Sequence, residues 1–261
     1  AINDLKKFEE VSYNVTLECG GNGRNEFNPP AKGNQWTTGA VSFAKWTGVR
    51  LKDILNDVGV KNDAVYIGYY ARDKHLSKDP KKNSISRGVP IKKALSDDVI
   101  LAYKMNDEDI PLWHGQPVRL IAPGYPASAS GKWINEISVR NIIHDGTKML
   151  DGYRVPKIPV APGTKVEYED MKIIESMPIK SLITYPKTGA MLKGKTTLSL
   201  RGKAWSGEEI VKEMHVSIDF GSTWQKCSLD NSNNVGAWQN WSSKITFPQK
   251  GYYEVWAKAT D

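Results

Sequence analysis

Apolar and polar side chains alternate along residues 11–19, Val-Ser-Tyr-Asn-Val-Thr-Leu-Glu-Cys, with the two-residue period of a strand, and the run breaks at the glycine-rich turn Gly20, Gly21, Asn22, Gly23. Cys19 is thereby expected at a strand end, against a loop. Between Trp46 and Val58 the apolar residues Val49, Leu51, Ile54, Leu55 and Val58 recur at near-helical spacing, and Gly59 follows as a stop; this predicts a helix over 46–58. Strands are predicted at 64–70, 99–104, 118–122 and 133–143, separated by Pro and Gly turns, with one short helix at 91–95. The first half therefore reads as mixed α and β.

The prolines Pro156, Pro159 and Pro162 crowd the stretch 153–163, which argues for an extended connection and a domain boundary nearby. Beyond it the pattern changes to short alternating segments at 179–185, 196–200, 212–218, 241–247 and 252–259, split by turn sequences. Helical periodicity is nearly absent there, and such segments predict an all-β immunoglobulin-like sandwich. The expected organisation is α+β: a mixed domain over 1–175 followed by a β-sandwich over 176–261.

Charge narrows the partners. Lys and Arg exceed Asp and Glu by 36 to 29, a net charge of +7, but no block of five or six like charges concentrates it and no nucleic-acid reading motif is present. Nucleic acid is therefore not an expected partner, whereas small anions and acidic proteins are. No window approaches the roughly 18 consecutive apolar residues of a spanning helix. The two cysteines, Cys19 and Cys227, exclude a disulfide framework and leave a single bridge open. The chain opens at Ala1 without an initiator Met, so a signal peptide is expected to be absent or already removed.

Gly189-Ala-Met-Leu-Lys-Gly194-Lys195-Thr196 matches the P-loop pattern, but Thr196-Thr-Leu-Ser-Leu200 alternates as a strand where a P-loop needs a helix to open; the glycines are assigned to a hairpin turn. HExxH, paired CxxC and GxSxG are absent, and His75, His114, His144 and His215 form no i, i+4 pair, so conventional zinc and serine-hydrolase chemistry lack support. The sequons at Asn14 and Asn240 are short enough to arise by chance. Cys19, followed by glycines and by Arg24, has two readings: a soft-metal ligand beside an anion donor, or a half-buried structural cysteine.

The run Leu17-Glu-Cys19-Gly-Gly-Asn22-Gly-Arg24, followed by Gln35-Trp36-Thr-Thr-Gly39-Ala40 and by Ala44-Lys-Trp46-Thr-Gly48-Val-Arg-Leu51, resembles the molybdenum domain of the sulfite oxidase family. Ala102-Tyr-Lys-Met-Asn106, His114-Gly-Gln-Pro-Val-Arg119-Leu and Gly131-Lys132-Trp133 stand in that family's order. Gly202-Lys-Ala-Trp205-Ser-Gly207 and Ser217-Ile-Asp219-Phe-Gly-Ser-Thr-Trp224 resemble its immunoglobulin-like dimerisation domain.

The resemblance implies a cofactor, molybdenum held by the dithiolene of one pyranopterin (molybdopterin), with Cys19 as the protein's thiolate on the metal. It places Arg24 at the sulfite anion, Trp36 at the wall of the substrate pocket, and Tyr153 where it hydrogen-bonds substrate and couples proton to electron movement. His114, Arg119 and Lys132 fall where the pterin and its phosphate are held, a use of cationic donors on an anionic group. The implied activity is oxidation of sulfite to sulfate, with electrons passed to an external acceptor such as a c-type cytochrome, in a periplasmic homodimer. Relatives that act on sulfane sulfur, nitrate or a sulfoxide supply the alternative substrates, and a cofactor-free scaffold that dimerises through its sandwich is the non-enzymatic alternative.

Three departures from the family pattern accompany it. About ninety residues precede the metal cysteine in the family and eighteen do here, and the family continues past Asp261, so the chain is expected to be truncated at both ends. After Gly207, where some members carry an arginine near the substrate, this chain has Glu208-Glu209-Ile210.

Overall fold

The structure, a computed structural model, describes residues 2–150, 152–194 and 196–261. The chain divides into two compact units, Ala1–Met177 and Pro178–Asp261.

In the first unit, a single turn α1 (Ile2–Leu5) leads into β1 (Glu10–Glu18), which pairs antiparallel with β2 (Val41–Arg50) along its whole length, from Glu10 opposite Val49 to Glu18 opposite Val41. β2 then pairs with β5 (Ile100–Met105), which carries β6 (Glu108–Asp109) and β7 (Arg119–Ile121) on its other side. Both faces of this sheet are covered. Val49, Leu101 and Leu120 point into one core with Leu51, Leu55, Ile67, Tyr69 and Val89, while Trp46, Ala44, Ile100, Ala102 and Ile121 point into another with Val15, Leu17 and Ile110.

That two-sided burial corrects the expected helix over 46–58. Residues 46–50 belong to β2, and only Leu51–Val58 is helical, as α2. A strand buried on both faces loses the apolar/polar alternation, so its residues mimic the helical spacing of the segment that follows. Gly48 lies at a register shift between β2 and β5, where an added Cβ would collide with the Leu101 carbonyl oxygen; only glycine lets the backbones approach so closely.

The first core is closed by a second sheet in the order β4 (Gly88–Pro90), β3 (Tyr66–Ala71), β8 (Ile134–Arg140), with α3 (Ile91–Ala94) following β4 directly. β9 (Arg154–Pro156) and β10 (Met171–Ile173) form a two-stranded ribbon.

The second unit holds two antiparallel sheets, ordered β11 (Lys180–Tyr185), β12 (Thr197–Trp205), β16 (Gln239–Thr246), β15 (Ser228–Leu229) and β14 (Gln225–Lys226), β13 (Glu213–Ser217), β17 (Trp256–Thr260). Leu200, Ala204, Trp241 and Ile245 from the first sheet meet Met214 and Val216 from the second, the interdigitated core of a β-sandwich. β11 and β12 pair directly, so Gly189 and Gly194 sit in the hairpin between them, both with positive φ, and Thr196 leads into a strand; Lys195 of the P-loop match lies outside the described residues. Among the described residues no helix is long and apolar enough to cross a membrane.

Candidate active site

β1 ends at Glu18, and the Cys19 amide makes one more bond across to β2's approach, donating to the Ala40 carbonyl at 2.9 Å. The chain then turns back on itself. The Asn22 amide donates to the Cys19 carbonyl at 2.9 Å, and the Asn22 side chain clamps both ends of the turn: Nδ2 donates to Glu18 Oε1 at 3.0 Å and Oδ1 accepts from the Ala40 amide at 2.9 Å. The result aims the Gly21 N–H at Cys19 Sγ, 3.4 Å away, a donor suited to sulfur bearing negative charge. Cys19 is half-buried, and neither it nor Cys227 is in a disulfide.

Arg24 opens a short 3-10 turn, Arg24–Glu26, and its guanidinium folds back over the cysteine loop. An added Cβ at Gly21 would lie 2.6 Å from Arg24 Cζ, so a side chain there would push the guanidinium from this position, where Nη1 donates to the Asn34 carbonyl at 2.9 Å. Trp36 lies on the returning arm of the same loop, its carbonyl accepting from the Asn25 amide at 3.2 Å; its indole is 47% exposed.

Tyr153 comes from far along the chain to the same place. A Cβ built on Gly20, the residue after Cys19, would sit 3.5 Å from Tyr153 Cδ1, 3.8 Å from Ile174 Cδ1 and 3.9 Å from Pro126 Cβ. Tyr153 adopts a left-handed backbone, φ 54°, and its carbonyl accepts from the Ile174 amide at 2.8 Å. Non-glycine residues at positive φ are uncommon and concentrate at functional sites.

His114, Arg119 and Lys132 form a second group. Arg119 starts β7 and is 8% exposed; its Nη1 donates to the His114 carbonyl at 3.2 Å, its Nε to the Ser130 carbonyl at 3.4 Å, and its Cζ lies 4.9 Å from the Trp46 ring. Lys132 Nζ donates to the Trp113 carbonyl at 3.0 Å and stands 4.2 Å over the Trp133 ring, while the His114 imidazole is exposed at the end of a 3-10 turn. Burial pushes Arg119 down to about 10, with Tyr69 pulling slightly the other way. Lys132 is also lowered, by burial first and then by the like charge of Arg119, against a smaller opposing effect of Asp73. Among the described residues neither cation has a carboxylate within ion-pairing distance.

One stretch connects the two groups. Ser130 takes Arg119, Pro126 faces Gly20, and between them the 3-10 turn Ala127–Ala129 carries Ser128, whose Oγ accepts from Arg87 Nη1 at 2.7 Å. Arg87 is absent from the sequence-based candidates. It is 1% exposed, its Cζ lies 4.3 Å from the Tyr153 ring, and burial lowers its affinity for its proton. A lone arginine within Ser-Ile-Ser-Arg-Gly-Val-Pro gives no periodic signal that would set it apart from a surface cation.

The donor set fits an anionic, thiolate-anchored metal cofactor. Cys19 offers one soft ligand with an N–H directed at its sulfur, and two partly or wholly buried cations lack the counter-charge a phosphate would supply. Among the described residues no three His, Cys, Asp or Glu side chains converge into a metal-ligand cluster.

Comparison with known proteins identifies the class to which this thiol-bearing mixed unit, followed by a β-sandwich, belongs. Residues 1–147 match the family model "Oxidoreductase molybdopterin binding domain", and residues 171–261 match "Mo-co oxidoreductase dimerisation domain". The chain belongs to the molybdopterin-binding oxidoreductases, and within them it is sulfite oxidase-like. It is 31% identical over 276 residues to mitochondrial sulfite oxidase of Rattus norvegicus, covering 100% of this chain and 49% of the relative, and 32% identical over 278 residues to that of Drosophila melanogaster, covering 100% and 48%. The NADH nitrate reductase of Volvox carteri is 30% identical over 285 residues, covering 100% and 32%. The chain thus spans about half the length of the sulfite oxidases it matches. Its fold is shared with the sulfane dehydrogenase SoxCD from Paracoccus pantotrophus, with a TM-score of 0.79 at 24% identity over 100% of this chain and 63% of that one.

Proposed function

We propose that this chain carries the catalytic site of a molybdenum-dependent sulfite dehydrogenase, which oxidises sulfite to sulfate and passes electrons to an external acceptor such as a c-type cytochrome. The observation that carries the reading is the meeting of Tyr153 and Arg24 at the loop of a free, half-buried Cys19. When bound, the molybdenum pterin supplies two-electron redox chemistry and oxygen transfer. Cys19 anchors the metal, and His114, Arg119 and Lys132 hold the pterin and its phosphate, with burial strengthening the charge-assisted hydrogen bonds of Arg119.

Sulfite is a small dianion, and the cost of moving it out of water falls where fixed positive charge waits for it. Arg24 provides that charge on a loop anchored by Asn22, so little reorganisation accompanies binding. Trp36 walls the pocket, and the Tyr153 hydroxyl hydrogen-bonds the substrate and relays a proton. The boundary between the catalytic and dimerisation domains is taken at residues 175–176, and two copies pair through the second domain. Export to the periplasm is the compartment that suits such an acceptor.

The test is sulfite-dependent reduction of ferricyanide by the protein made from its full reading frame in a host that synthesises molybdopterin, beside its Cys19→Ser variant. Activity in the wild type that disappears in the variant is expected. Molybdenum-loaded wild-type protein that leaves sulfite untouched would refute the substrate assignment, and turnover of nitrate or of sulfane sulfur would replace it.

A further inference from the structure

A buried arginine with an unused donor is expensive, and Arg87 in the first unit is such a group. It is 1% exposed and ranks among the largest fully buried side chains of the chain. Its Nη1 donates to Ser128 Oγ at 2.7 Å and its Nη2 reaches the Ile174 carbonyl only at 3.5 Å, while Nε has no hydrogen-bond partner among the described residues. Glu175 contributes to the electrostatics at Arg87, yet its Oε1 accepts the Tyr66 hydroxyl, at 3.3 Å. A purely structural role would be served better by an uncharged side chain of similar size, because an incompletely paired buried charge destabilises the fold.

The arginine's contacts point to what the charge does. The Ser128 turn follows Pro126, the Ile174 residue that accepts Nη2 also binds the Tyr153 carbonyl through its amide, and the Tyr153 ring lies under the guanidinium at 4.3 Å. Pro126, Ile174 and Tyr153 are the three residues that surround Gly20, beside Cys19. Arg87 therefore ties together the walls of the cysteine loop from behind. A guanidinium stacked on a phenol ring holds it through the ring's quadrupole, an attraction that grows when both groups are dry.

We propose that Arg87 is a positioning residue: its guanidinium, pinned by Ser128 and the Ile174 carbonyl, stacks on Tyr153 and fixes that ring beside Cys19, in a backbone conformation that an L residue would otherwise avoid. The function of that ring rests on the sulfite reading; the pairing of Arg87 with Tyr153 does not.

Two measurements test it. In cofactor-free protein, the melting temperature is followed through the cycle of wild type, Arg87→Gln, Tyr153→Leu and the double variant; the expected result is coupling, with Arg87→Gln less favourable to stability when Tyr153 is present than when Leu stands in its place, by about 2 °C or more. In molybdenum-loaded protein, Arg87→Gln is expected to lower kcat about ten- to a hundredfold, with KM for sulfite within about threefold and molybdenum content unchanged. Arg87→Lys keeps the cation without the planar stack and restores part of that kcat. A Gln variant that turns over at the wild-type rate overturns the proposal, as does full additivity in the melting cycle. Should Gln fail to fold, Lys decides: several-fold lower kcat at unchanged KM is expected, and wild-type kcat overturns it. Wild-type protein that binds molybdenum but ignores sulfite refutes the sulfite reading alone, since the melting cycle stands without it.

Discussion

Arg119 offers a sharp test of whether buried charge in this unit exists for a ligand. The guanidinium is 8% exposed, and burial brings it from its usual value to about 10. At about 1.4 kcal/mol per pH unit, that displacement corresponds to roughly 3 kcal/mol of unfavourable burial. Its two hydrogen bonds, to the Ser130 and His114 carbonyls at 3.4 and 3.2 Å, are long and return about 1–2 kcal/mol together. The cofactor-free protein thus carries a net cost of about 1–2 kcal/mol. Because the folded state lowers the affinity of a base for its proton, the unfolded chain binds more protons as the pH passes upward through about 10, so stability is recovered there and the whole cost is present at neutral pH. Arg119→Met keeps the packing over Trp46 and removes the charge. In cofactor-free protein it should raise the melting temperature by about 3–6 °C at pH 7, with the advantage fading above pH 10. Metal analysis and pterin fluorescence of protein made in a molybdopterin-producing host should show the opposite ranking, with the variant retaining about a tenth or less of the cofactor. A Met variant that melts well below the wild type, or one that retains cofactor fully, would refute the reasoning.

Cys19→Ser replaces a soft ligand by a hard one on a loop held by Asn22 rather than by the thiol, so molybdenum content should fall to near background while circular dichroism and melting stay within about 2 °C of wild type. Arg24→Ala should raise KM for sulfite tenfold or more with a melting temperature nearly unchanged, since the guanidinium is only half-buried; an unchanged KM in steady-state assays would remove Arg24 from the substrate site. Gly48→Ala drives a Cβ into the Leu101 carbonyl and should cost about 1–3 kcal/mol, read as a lower denaturant midpoint; an unaffected midpoint would mean that β2 and β5 separate freely at the bulge.

Local signals in the sequence determined a good deal. Alternation over 11–19 and the glycines after it placed Cys19 at the end of β1, and short alternating runs after the proline-rich stretch specified a β-sandwich, because a strand with one wet face must alternate. The same logic failed at 46–50, where β2 is buried on both faces and carries no alternation to read. Nor could the chain reveal Arg87: nothing in Ser-Ile-Ser-Arg-Gly-Val-Pro distinguishes an arginine that stacks on Tyr153 from one in water. Tyr153 reaches the loop of Cys19 only because Ile174 and Pro126 converge on Gly20 from segments distant in sequence. The sequence by itself determined which elements form and where the thiol sits, since these depend on neighbours a few residues away. Only the tertiary structure decided which cations are dry and what they face, because desolvation is set by the atoms that packing brings around a charge and not by those next to it in the chain.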